Sequence, residues 1–228
     1  MAPMNRLYLI AALAGLAITP AFAQQLRPRL PVTPAPIARP ATQVLFREAR
    51  AQALSQANRT LNAVTRLQGR FVQNSPDGSR ATGLFYLQRP GKLRFEYNPP
   101  ATLLIISDGA TVSTHDSALR TTDRTPLRNT PLNLVLRGHV DLERDANVTR
   151  VARQGDWLFI NVRDRNGLAD GQLTLWFVGP NADLRAWDVV DATGARTRVT
   201  LNGLSQPASI DPALFRADSR PGSGSRRP

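Results

Sequence analysis

The sequence predicts a mainly β domain of the α+β class: a strongly curved antiparallel sheet forming an open, incomplete β-barrel, with helices covering a concave apolar cavity. Three observations predict it. Apolar alternation of period two recurs in short runs between residues 67 and 201, separated by turn residues. The connections between those runs are too short for crossover helices, so neighbouring strands pair antiparallel. Helical periodicity appears twice, once before the first strand and once in the middle of the chain. Two short helices cannot fill the inside of such a sheet, which leaves apolar space for a ligand.

At the N-terminus, Arg6 precedes an apolar run, Leu7–Ile18, of about a dozen residues, and Ala21-Phe22-Ala23 presents small residues where a signal peptidase reads. The run is short for a membrane span, so residues 1–23 are expected to be a secretory signal cleaved after Ala23. Residues 24–41 carry Pro28, Pro31, Pro34, Pro36 and Pro40; prolines so spaced forbid helix and favour extended chain, an expected disordered linker. Residues 218–228 are Asp, Ser, Arg, Gly and Pro with nothing to bury, an expected disordered tail. One domain is left, residues 42–217.

Its first element is a helix with Thr42 as N-cap and no Gly or Pro before Gly69; Leu54, Ala57, Leu61 and Val64 share one face. The period then changes to two. Phe71 and Gln73 begin a strand ended by Ser75-Pro76-Asp77-Gly78; residues 83–88 form the next, with Leu84 and Tyr86 on one side and Phe85 and Leu87 on the other. After Arg89-Pro90-Gly91, Leu93, Phe95 and Tyr97 alternate against Lys92, Arg94 and Glu96 until Pro99-Pro100. Residues 103–106 and 111–114 follow. Asn129-Thr130-Pro131 then opens a short helix containing Leu132, Leu134, Val135 and Leu136, ended by Gly138. Strands resume at 149–152, 157–162, 172–178, 185–190 and 197–201, giving about ten in one meander.

Composition excludes several function classes. The net charge of +12 rests on 28 arginines and Lys92, spread along the chain without a nucleic-acid-binding motif, so no nucleic acid is expected as partner. There is no cysteine, hence no disulfide, thiolate chemistry or lipidated N-terminal Cys. No Gly-x-x-x-x-Gly-Lys loop or Gly-x-Ser-x-Gly elbow is present. His115 beside Asp116, and His139 near Asp141, lack the spacing of metal ligands or a catalytic set. Neither an enzyme nor a cofactor is expected. The strands are shorter and less aromatic than those of an outer-membrane barrel.

Several segments in order carry a resemblance. Leu61, Val64 and Leu67 lead into Gly69-Arg70-Phe71-Val72-Gln73. Gly83-Leu84-Phe85-Tyr86-Leu87-Gln88-Arg89-Pro90-Gly91-Lys92-Leu93-Arg94-Phe95-Glu96-Tyr97 follows, then Leu104-Ile105-Ile106-Ser107-Asp108-Gly109, the short helix from Asn129 to Arg137, and Ile210-Asp211-Pro212-Ala213-Leu214-Phe215. Together they resemble the LolA-like periplasmic lipoprotein carrier family. The resemblance implies a periplasmic, non-enzymatic, monomeric carrier that holds the acyl chains of lipoproteins in its cavity. It implies receipt of cargo from an inner-membrane ATP-driven exporter and delivery to an outer-membrane acceptor lipoprotein. It places cavity lining on Leu93 and Phe95 and maps the arginine that ties the helical lid to the barrel onto Arg89. The expected lining set is Phe71, Leu84, Tyr86, Leu93, Phe95 and Tyr97, with Leu132 and Val135 from the short helix. The alternation of Leu93, Phe95 and Tyr97 equally suits an ordinary packed core, and Arg89 equally suits a solvated turn. A lipid-binding sensor on the same fold is the rival function; such proteins append a second domain, whereas this sequence ends soon after Phe215.

Overall fold

The computed structural model describes residues 41–165 and 171–216. The expected signal segment 1–23, the linker up to residue 40 and the tail 218–228 lie outside the described residues. Among the described residues no helix is long and apolar enough to cross a membrane.

A two-residue strand, β1 (Gln43–Val44), precedes α1 (Arg47–Ala63), and six strands follow it: β2 (Arg66–Asn74), β3 (Arg80–Gln88), β4 (Lys92–Tyr97), β5 (Leu103–Asp108), β6 (Thr111–Asp116) and β7 (Thr121–Pro126). A crossover holds α2 (Leu132–Leu136) and α3 (Leu142–Asp145). Five further strands complete the sheet: β8 (Ala146–Gln154), β9 (Trp157–Asp164), β10 (Gln172–Val178), β11 (Asp183–Val190) and β12 (Arg196–Ser205). The spatial order is β1-β8-β9-β10-β11-β12-β2-β3-β4-β5-β6-β7, so β1 and β7 are edges and the sheet does not close.

The open, curved antiparallel sheet is as the sequence predicts; its connectivity is not one meander but two. The runs β2–β7 and β8–β12 are joined where β12 pairs with β2 (Thr200 opposite Val72, Leu201 opposite Phe71). The connection from β7 to β8 starts at one edge and lands near the other, and α1 runs from β1 at that second edge to β2 in the middle. Both helical connections pack into one core cluster on the same face, hereafter the inner face.

Two strands escape the sequence pattern for physical reasons. β7 is Thr-Thr-Asp-Arg-Thr-Pro, exposed over most of its length, so its edge pairing leaves no apolar alternation. β1 exists because β8 offers an unpaired edge: Val44 lies opposite Ala152, and the Leu45 N–H donates to the Val151 carbonyl at 2.8 Å. That pairing displaces the expected start of the helix at Thr42; α1 begins at Arg47, and Phe46 supplies no side-chain cap. The short α3 also goes unforeseen, although Asp141 caps it by accepting from the Glu143 and Arg144 N–H groups while its own N–H donates to Asp145 Oδ2 at 2.9 Å, a reciprocal capping arrangement.

One core cluster fills the inner face. Ala53, Leu54, Ala57 and Leu61 of α1 and Val135 and Leu136 of α2 lie on Phe71, Phe85, Leu93, Phe95, Tyr97 and Ile105 from one half of the sheet and Leu158, Ile160, Leu175 and Phe177 from the other. Gly83 is small because Phe71 lies across it. A Cβ there would stand 2.1 Å from the Glu96 carbonyl oxygen and 2.5 Å from Phe71 Cε1. Gly83→Ala is expected to cost about 1–3 kcal/mol through overpacking, read as a lower urea midpoint with an unchanged slope.

On the outer face the segment after β12 returns over the first half of the sheet. Ile210, Leu214 and Phe215 form a small second cluster against Tyr86. Beneath them Arg94 is fully buried; it pairs with Glu96 at 3.0 Å and donates to the Leu214 carbonyl at 3.2 Å. Arg66 holds the same segment further back, through the Pro207 carbonyl at 3.1 Å.

Candidate functional site

The candidate site is the inner apolar core with the polar contacts that fasten the helices over it. The β3–β4 hairpin sets its centre. Phe85 stands opposite Phe95, Leu87 opposite Leu93 and Gly83 opposite Tyr97, and Phe95 in turn lies opposite Ile105 on β5. Phe71 meets Phe95 and Tyr97 edge-on, with ring centroids 4.8 and 4.9 Å apart, and Phe95 meets Phe85 and Trp187 at 6.0 Å. Such pairs add about 0.5–1.5 kcal/mol each beyond area burial.

Five of the expected lining residues, Phe71, Leu93, Phe95, Tyr97 and Val135, come together in this cluster, and Leu132 packs on it partly buried. Leu84 and Tyr86 do not. Leu84 is exposed, and Tyr86 packs outside against Ile210, Leu214 and Phe215. The cause is hairpin register: Leu84 pairs with Glu96 and Tyr86 with Arg94, and residues directly opposite share a face. Phe85 and Leu87 occupy the inner positions instead. Both were legible, because the three-residue Arg89-Pro90-Gly91 turn fixes which residues oppose one another. Ile105, Leu136 and Trp187 carry no comparable local signal, since their inward direction depends on the pairing of distant strands.

Two buried polar contacts lie on this face: Ser107 donates to the Gly91 carbonyl at 2.6 Å, and Tyr97 pairs with Gln73. Tyr97 donates to Gln73 Oε1 at 2.7 Å, and burial pushes the Tyr97 hydroxyl pKa up, keeping the phenol neutral.

The helices are fastened at one rim. Arg89, in the β3–β4 turn, donates through its guanidinium to the Leu61 carbonyl at the end of α1. Its backbone N–H donates to Thr65 O at 2.8 Å, and the next N–H but one, Gly91, donates to Leu136 O at the end of α2 at 2.7 Å. The last carbonyls of a helix lack intrahelical donors, so a turn that presents a guanidinium and a backbone N–H suits both ends. A side chain at Gly91 is excluded: its φ is +75°, and a Cβ would lie 2.6 Å from Gly109 Cα in the neighbouring turn. At the same rim Gln56 and Thr60 of α1 donate to the Pro180 and Asn181 carbonyls. Asn62 exchanges two bonds of 2.8 Å with the backbone of Val140, and Asn58 accepts from the Leu142 N–H at 3.1 Å. These asparagines join α1 and the crossover into one lid.

Arg89 is held under strain of solvation. Burial lowers its pKa to about 10, and its Nε has no hydrogen-bond partner. It stays cationic at neutral pH, yet burial penalises its charge. A latch of this kind is strong in direction and weak in net free energy.

The closed core leaves little room. A cavity of about 30 Å³ beside α2 is lined by Leu134, Val162 and Leu173 together with Arg137, Asp145 and Asp164, and an open, largely polar groove of about 570 Å³ lies between α1 and the crossover; ligand sites usually span about 300–1,000 Å³. The apolar core residues themselves are almost fully buried beneath the lid. The two histidines stand apart from this core. His115 Nδ1 is bonded to Thr122 Oγ1 at 2.9 Å, and His139 lies in the crossover. Among the described residues no group of three His, Cys, Asp or Glu converges on a common point.

Comparison with known proteins gives the family. The model of "Outer membrane lipoprotein carrier protein LolA" matches residues 62–218. An outer-membrane lipoprotein carrier protein of Chromobacterium violaceum is 28% identical over 176 residues, covering 73% of this chain and 84% of the relative. One from Leptothrix cholodnii is 30% identical over 151 residues, covering 62% and 69%. Among solved structures, a LolA superfamily protein of Nitrosomonas europaea aligns over 74% of this chain and 97% of its own, at 10% identity and a TM-score of 0.45. With a family model spanning well over half of its residues, the chain belongs to the LolA family of outer-membrane lipoprotein carrier proteins.

Proposed function

We propose that the protein is a periplasmic carrier that takes the acyl chains of lipoproteins into its inner core and moves them from the inner to the outer membrane. The observation that carries this reading is a large, packed and mainly apolar face closed by a lid that a handful of hydrogen bonds fasten to two hairpin turns. Relatives named as outer-membrane lipoprotein carriers support it, as does the secretory layout of residues 1–23.

The energetics set what such a carrier must do. Each methylene left in water costs about 0.8 kcal/mol, so an anchor with several long chains costs tens of kcal/mol to expose. The inner core offers mainly Phe, Leu and Ile contact area, its Tyr97 hydroxyl being satisfied by Gln73, which suits chains of varied length. Loading replaces lid–sheet contacts with lid–acyl contacts, so the apolar balance is near neutral and the polar latch biases it. Cargo arrives from an ATP-driven exporter in the inner membrane, and the energy of ATP comes from that partner, since the sequence itself has no Gly-x-x-x-x-Gly-Lys loop. An outer-membrane acceptor lipoprotein receives it. The protein works as a monomer and without a cofactor.

Arg89→Leu tests the latch. The substitution removes a desolvated cation and one hydrogen bond, so the fold is expected to persist with a thermal midpoint close to the parent's. The load-and-release cycle is expected to be impaired, measured as lipoprotein passed from the complex to outer-membrane vesicles. Transfer at the parent's rate would remove Arg89 from the cycle.

A further inference from the structure

The outer face of the second half of the sheet carries an aromatic patch that the carrier reading does not use. Phe159 lies opposite Trp176, and on its other side opposite Ala152, which lies opposite Val44. Leu158, Ile160, Leu175 and Phe177 fill the alternate, inner positions. Trp176 is met edge-on by Phe159 at 4.7 Å and by Trp157 at 6.0 Å. The Arg198 guanidinium lies 3.9 Å above the Trp176 ring and is held there by Asp188 at 2.6 Å. Trp157 is 37% exposed and Val44 40%. In the same row as Trp157 stands the exposed Asp183, across Val178, and Asp156 is exposed in the adjoining turn.

The chain itself leads to this place. β1 pairs Gln43 with Arg153 and Val44 with Ala152. Read backwards from Gln43, that antiparallel register runs towards Gln154 and the Gly155-Asp156 turn, next to Trp157. Residues 24–40 therefore join the described domain at the border of the patch. Their sequence is Gln-Gln-Leu-Arg-Pro-Arg-Leu-Pro-Val-Thr-Pro-Ala-Pro-Ile-Ala-Arg-Pro. Pro28, Pro31 and Pro34 recur every three residues, the repeat that puts side chains on one edge of a polyproline II helix. Aromatic surfaces recognise that edge, and the helix loses little entropy on binding. Arg27, Arg29 and Arg39 are opposite in charge to the exposed Asp156 at the rim and to Asp183, whose carboxylate lies 3.9 Å from Arg185 and is itself half-exposed. A short tether supplies an effective concentration on the order of millimolar, so weak intrinsic affinity suffices.

We propose that the outer aromatic patch of Trp157, Phe159 and Trp176 is the docking surface for the chain's own proline-rich segment, residues 24–40. The site lies on the face opposite the lid, so it leaves the acyl-binding core unobstructed and covers indole surface that would otherwise face solvent.

The chain has no cysteine and three tryptophans, which makes the test clean. In the full mature chain, a nitroxide attached at Leu30→Cys is expected to attenuate the indole N–H resonances of Trp157 and Trp176 most, and that of Trp187, packed inside against Phe95, least. Replacing Pro28, Pro31 and Pro34 by Ala, none of which lies in the described domain, is expected to restore the Trp157 and Trp176 signals. Equal attenuation of all three, none, or persistence after the proline replacements would overturn the proposal. Attenuation that appears when labelled and isotopically enriched chains are mixed would also overturn it, assigning the surface to a second copy.

Discussion

Joining residues 90 and 138 by a disulfide is expected to abolish acyl-chain uptake while leaving the protein folded. A Cβ placed on Gly138 lies 3.7 Å from Pro90 Cβ, inside the range of about 3.5–4.5 Å that disulfides span. Gly138 follows the end of α2, and Pro90 sits in the turn whose Gly91 N–H holds the Leu136 carbonyl. The Pro90→Cys, Gly138→Cys pair would make permanent a contact that the proposed cycle must break. Closing a loop of about 48 residues also stabilises the oxidised form by about 4 kcal/mol in the chain-entropy estimate. Uptake is read by native mass spectrometry with a triacylated lipopeptide, on the oxidised and the reduced forms of one preparation. The oxidised form is expected to show no adduct and the reduced form to recover it. Equal binding by both would mean that chains enter without moving α2 from this rim.

Arg94→Ala is expected to be the most destabilising single change on the outer face, at about 3–5 kcal/mol. Arg94 is fully buried, and its guanidinium meets both the Glu96 carboxylate and the Leu214 carbonyl. Truncation leaves a largely buried carboxylate without this partner and opens a void beneath Leu214 and Phe215. The loss is measured as a shift in denaturation midpoint, together with faster proteolysis in the segment after Ser205. Adding Glu96→Gln is expected to return part of the lost stability, because no carboxylate then remains to be desolvated. If Arg94→Ala costs no more than an exposed arginine does, the C-terminal segment is held without Arg94, by its apolar contacts and the Arg66 bond to the Pro207 carbonyl.

The parts of this fold that were legible in the sequence are those fixed by local chemistry. The turns at Ser75-Pro76-Asp77-Gly78 and Arg89-Pro90-Gly91, the strand 172–178 and the short α2 follow from turn residues and periodicity. What escaped depends on partners far away in sequence. β1 is a strand only because β8 has a free edge, and β7 only because β6 does. The break between two meanders arises because the crossover carries the chain across the inner face. The site shows the same division. Phe71, Leu93, Phe95 and Tyr97 point inward with the alternation of their own strands, whereas Leu84 and Tyr86 look equally apolar and face outward. Pairing with Glu96 and Arg94 decides their side, and the three-residue hairpin turn already contained that register.

In the proposed cycle the inner core receives acyl chains and carries them through water. The most direct test supplies ATP and the purified mature protein to membrane vesicles holding a labelled triacylated lipoprotein and its exporter. A soluble one-to-one complex is expected to appear only when ATP and the protein are both present. Lipoprotein that stays with the membrane fraction under those conditions would contradict it.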